Sequence, residues 1–87
     1  MVRNNQLPPI SESASEVASF IKETASSKGV SQEALREILN RGARSYVSLR
    51  INGLKSWDLD ELDAIAPALG FKDGFALVSA AHKKSKE

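Results

Sequence analysis

The 87-residue sequence predicts an all-α fold with five helices. Apolar residues recur three and four positions apart in five successive stretches, the period of a helix that buries one face. Serine or aspartate precedes three of the stretches, and a single glycine follows three of them, as helix caps require. Nowhere do β-branched residues alternate with polar ones as they would in a strand, and no segment repeats.

The elements follow in chain order. Residues 1–12, with Pro8-Pro9, read as an extended, poorly ordered arm. The run 13-SASE-16 has the form of a capping box, with Ser13 accepting from the Glu16 N–H. It opens a first helix over about 14–27, with Val17, Phe20 and Ile21 inward, ended by 26-SSKG-29. Ser31 is a suitable N-cap for a second helix, about 32–40, whose apolar face is Ala34, Leu35, Ile38 and Leu39. A turn at 40-NRGA-43 leads to a third, about 44–52. There Val47 and Ile51 point inward, Tyr46 is partly packed, and Gly53 ends the helix as a left-handed residue.

A second capping box, 58-DLDE-61, starts a fourth helix that runs to Leu69 and is closed by Gly70. Its apolar face is Leu59, Leu62, Ile65, Ala66 and Leu69. Pro67 has no N–H to give and crowds the preceding turn, so a kink or change of geometry is expected near 63–67. The fifth helix, about 74–84, has Phe75, Val78 and Ala81 inward. The folded domain spans 13–82, followed by a frayed basic tail at 83–87.

Composition narrows the function. A chain of this size forms one domain with one modest core and little room for an enclosed active site. Without cysteine it has neither disulfides nor thiolate metal sites, and His82 is a single histidine, read as a surface residue. Neither a signal peptide nor a stretch of membrane-span length is present, so a cytoplasmic, nucleoid-associated location is expected. Asp58, Asp60, Glu61 and Asp63 suit capping and the helix dipole rather than a metal. The sequence holds no nucleophile–base pair and no glycine-rich phosphate loop, so neither an enzyme nor a cofactor is expected. Charge is unevenly spread. Between Ile38 and Trp57 there is no acid, and Arg41, Arg44, Arg50 and Lys55 give four positive charges. From Asp58 onward six acids face four lysines. A basic strip of this kind is the footprint of a phosphate-binding face.

A helix, a short glycine-containing turn and a short polar helix form the helix-turn-helix arrangement, here about 31–53. The runs 31-SQEALREIL-39, 45-SYVSLRING-53 and 59-LDELDAIAPALG-70 together resemble the Cro/repressor-type (XRE-like) helix-turn-helix family of phages and bacteria. The resemblance covers about residues 14–81, and Val-Ser-x-Arg-Ile-Asn-Gly followed by tryptophan looks most like small actinobacterial and actinophage repressors. It implies a compact, repressor-like five-helix domain that binds double-stranded DNA and regulates transcription. Two features depart from the family. The turn between Leu39 and Val47 is one residue longer, and Arg50 takes a position that is more often aliphatic. Both leave open which of Ser48, Leu49 and Arg50 faces the bases.

In such a domain the third helix lies in the major groove and the second crosses the backbone. Carried over by position, Arg44, Ser45, Ser48 and Leu49 would read bases, Arg44 by a bidentate pair to guanine and Leu49 against a thymine methyl. Gln32, Arg41, Tyr46, Arg50, Asn52, Lys55, Ser56 and Trp57 would contact the backbone, with Trp57 equally readable as a packing residue. Removing Lys55 would weaken binding to all DNA alike, whereas removing Arg44 would relax specificity at one base pair. The partner expected is an operator with inverted symmetry, bound by a homodimer. Leu77, surplus to a single inner face, joins Phe75 and Val78 as the candidate dimer contact. The competing reading is a protein-binding module, an antitoxin or anti-repressor on the same fold.

Overall fold

In the computed structural model, which describes residues 10–40 and 44–85, the chain forms α1 (Glu12–Lys28), α2 (Gln32–Leu39), α3 (Arg44–Ile51), α4 (Leu59–Ile65) and α5 (Gly74–Ser85). A 3-10 turn at Pro67–Leu69 lies between α4 and α5, and no strand occurs among the described residues. The fold is all-α. Residues 1–9, part of the expected arm, and Lys86 and Glu87 of the expected tail lie outside the described residues.

Helix α1 begins earlier than its capping box suggested. Ser11, not Ser13, is the N-cap: it is extended at φ −67° and ψ 163°, and its hydroxyl accepts from the Ala14 N–H at 3.1 Å. Such a cap contributes about 1 kcal/mol. The buried row is Ala18, Ile21 and Ala25, with Val17 and Phe20 packed at its margin. The two alanines let α5 and α3 come close, and α1 packs on both.

Helix α2 starts where expected, with the Ser31 hydroxyl accepting from the Ala34 N–H at 3.1 Å. It ends on Asn40, left-handed at φ 57°. Leu35 is fully buried, whereas Ile38, assigned to the same apolar face, is 40% exposed. In α3, Val47 and Ile51 are buried as expected. Gly53, at φ 78°, closes the helix: its N–H donates to the Arg50 carbonyl and the Leu54 N–H to the Leu49 carbonyl, the paired bonds of a Schellman motif.

Both capping-box bonds of α4 are present, Glu61 N–H to Asp58 Oδ1 at 2.8 Å and Asp58 N–H to Glu61 Oε1 at 2.9 Å. The α-helix stops at Ile65, and Pro67 becomes the first residue of the 3-10 turn, where no N–H is needed. Leu59 departs from expectation. As the first residue of α4 it is 59% exposed. Helix α5 also differs in phase and length. Leu77 and Ala81, four residues apart, are buried, whereas Phe75 is 75% exposed. Two residues correspond to about 200° around a helix, so burying Leu77 turns Phe75 outward. The helix runs to Ser85, into the segment read as a frayed tail.

Each helix and the 3-10 turn contributes one large, fully buried side chain: Ile21, Leu35, Val47, Ile65, Leu69 and Leu77. Truncating any of the leucines or isoleucines to alanine would remove about 2–5 kcal/mol. Helix α2 packs on α3 and α4, and α4 on α5, so α3 is held between α1 and α2.

Candidate nucleic-acid interface

The phase of α3 decides which side chains it offers. Val47 and Ile51 fix its inner side. Ser45 and Leu49 are each two residues from Val47 and therefore lie on the opposite side. Ser45 is exposed and Leu49 partly buried. Ser48 is partly buried on the flank, and Asn52 is exposed just beyond the helix. Arg44 opens the helix, and its side chain lies outside the described set, as do all of Arg41 and the expected turn at 41–43.

Arg50 is not part of the outward set. Its Nε lies 3.3 Å from Glu61 Oε1 and 3.2 Å from Oε2, and its Nη1 donates to the Tyr46 carbonyl at 3.0 Å. The guanidinium also stacks 3.7 Å from the centroid of the Tyr46 ring. The Tyr46 hydroxyl donates to the second oxygen of Glu61. Glu61 therefore serves two elements: it closes the cap of α4 and accepts from two residues of α3. With side-chain exposures of 15% for Arg50 and 3% for Glu61, this is a largely desolvated pair. Arg50 and the Tyr46 hydroxyl, both expected at the DNA backbone, are engaged with Glu61 here. The sequence alone assigns Glu61 to capping and the helix dipole. Its sequence signal concerned α4 alone, and nothing in spacing shows a partner eleven residues earlier.

Trp57 is 8% exposed and belongs to the core, and its indole N–H is buried without a hydrogen-bond partner among the described residues. This burial is that of a packing residue, one of its two readings. Asn52 caps α3 from its end. Its Nδ2 donates to the Ser48 carbonyl at 2.9 Å and lies 3.4 Å from the Ser48 hydroxyl. Its Oδ1 accepts from Lys22 of α1 at 3.0 Å. Gln32, Lys55 and Ser56 are exposed, as is Leu54 at 57%.

The electrostatics differ from those of the linear strip. Glu61 compensates Arg50 from beyond the acid-free window, while Lys22, from α1, joins its far end. On α2, Arg36 is paired with Glu33, whose hydrogen bond and charge raise the guanidinium above its ordinary value. The acids at the start of α4 have structural partners as well, since Asp63 accepts from the Gly74 N–H at 2.7 Å and Asp58 caps its own helix. No helix among the described residues is long and apolar enough to cross a membrane. Comparison with family models, curated proteins and solved structures gives no match.

Proposed function

We propose that the chain is a sequence-specific, double-stranded DNA-binding transcriptional regulator of the Cro/repressor-type helix-turn-helix kind, with α3 in the major groove. The observation that carries this reading is the phase of α3. Val47 and Ile51 anchor the helix, while Ser45 and Leu49 lie on its opposite side. A hydroxyl and an aliphatic side chain suit a base edge and a thymine methyl. Arg44 and Arg41 extend the same segment by sequence, and Gln32, Lys55 and Ser56 flank it as phosphate contacts.

A domain this small covers limited DNA, so two copies on an inverted repeat are the working form. The residue to join them is Phe75, since Leu77 is taken up by the monomer's own core. The test is a selection of randomised duplexes at physiological salt, where nonspecific binding is limited. Enrichment of one short motif is expected. A pool that stays random would overturn the reading.

One observation favours the second reading, a protein-binding module. A groove of about 250 Å³ between α1 and α5 has Phe20 and Ala81 in its lining, and Phe75 is exposed on α5. A random duplex pool together with a stoichiometric protein partner would assign the function there.

A further inference from the structure

We infer that α1 carries a phosphate-binding subsite, formed by Lys22, Ser15 and Ser19 against the end of α3. Its ligand in the complex proposed above is a backbone phosphate of the duplex. The source of that phosphate rests on the regulator reading, whereas the chemistry of the site does not.

Ser15, Ser19 and Lys22 are spaced four and three residues apart, and so share one face of α1. That face borders a cleft of about 170 Å³ whose other wall is Asn52 and Gly53. Lys22 donates to Asn52 Oδ1 at 3.0 Å. An ammonium has three N–H donors, so two remain, and the amide steadies a side chain that would otherwise sweep through solvent. The Ser15 and Ser19 hydroxyls are exposed and make no hydrogen bond among the described residues. One cation with two hydroxyls beside it is the donor set an oxyanion takes up.

Three of the carbonyls ending α3 already have donors of their own. The Ser48 carbonyl accepts from Asn52, the Leu49 carbonyl from Leu54 and Lys55, and the Arg50 carbonyl from Gly53. Ser15 and Ser19 also border the groove toward α5 together with Glu16 and Glu23, but neither carboxylate lines this cleft. A polar track also joins the cleft to α3, running from Ser48 through Asn52 to Lys22. With Arg50 turned inward to Glu61, Lys22 adds a positive charge at that end of the helix, where Lys55 is also exposed.

The experiment has two arms, each on the full chain and on Lys22→Gln. The first titrates inorganic phosphate against chloride at equal ionic strength and follows backbone amide shifts by NMR. Shifts gathered at Ser15, Ser19, Lys22 and Asn52, and lost in the variant, are expected. The second measures the affinity for the selected duplex as a function of salt. The variant's log–log slope should be shallower by about 1, with its base preference and melting temperature unchanged. A localised phosphate response with an unchanged slope supports the subsite but assigns it to free phosphate. A changed slope alone supports it as a contact to the duplex. If the full chain binds no duplex yet responds to phosphate, the regulator reading fails and the subsite stands. Absence of both responses overturns the subsite, whatever the duplex selection gives.

Discussion

The Arg50 guanidinium, 15% exposed, and the Glu61 carboxylate, 3% exposed, have given up most of their hydration, and each other, Tyr46 and, for Glu61, the Asp58 N–H replace it. Removing one partner of such a pair leaves a buried charge alone, a loss of about 3–5 kcal/mol. Since small domains are stable by only about 5–15 kcal/mol, that loss is a large fraction of the total. Arg50→Met should therefore lower the unfolding free energy in urea by about 3 kcal/mol or more. Adding Glu61→Gln to it should recover part of the loss, because the stranded charge is gone. A neutral Arg50→Met would show that the pair does not hold α3 to α4. The sequence made Arg50 legible as an unusual residue for its position but not its purpose. Charge counted along the chain cannot register Glu61, which reaches α3 only once α4 has folded beside it. The same limit hid Lys22, thirty residues before the asparagine it meets.

Elements were most legible where one cap residue stood alone. Ser31 has no rival, and α2 begins beside it as expected. Before α1 the serines at 11, 13 and 15 compete, and cap preference does not choose between them. The helix itself starts from Ser11, and the two residues this adds, Glu12 and Ser13, are both exposed. The phase of α5 was ambiguous for a related reason. Phe75, Leu77 and Val78 allow two inner faces, and the close approach of its first turn to α4 selects the one with Leu77. That approach is specific to Gly74, where an added Cβ would lie 2.8 Å from Asp63 Oδ1 and 3.1 Å from Leu62 Cβ. The Asp63 carboxylate can turn aside, but Leu62 Cβ and the Asp63 backbone nitrogen at 3.2 Å are fixed to the helix. Gly74→Ala should destabilise by about 1–3 kcal/mol, the usual range for overpacking. In a domain of this size each kcal/mol lowers the melting temperature by about 4–8 °C, which thermal circular dichroism would read. An unchanged melting temperature would mean that α5 can shift off α4.

For the molecule as a whole, the fold class was legible because helical periodicity and turn chemistry agreed throughout. The candidate interface was only half legible, since helical phase gives an outward face but not the neighbours at its edges. Among the described residues, Phe75 at 75% exposure and Leu59 at 59% are the large apolar residues left most open. Self-association through α5 should be visible by light scattering at high micromolar concentration, and Phe75→Ser should abolish it without loss of helix content. A strictly monomeric parent protein would remove Phe75 from that role. Trp57 has a consequence of another kind. It is the one tryptophan in the chain, and the structure seals it at the joint between α3 and α4. Indole emission shifts colour with the polarity around the ring, so an unlabelled sample carries its own optical gauge of whether the 53–58 loop is seated. The same light that follows unfolding would register any ligand that loosens or tightens that joint.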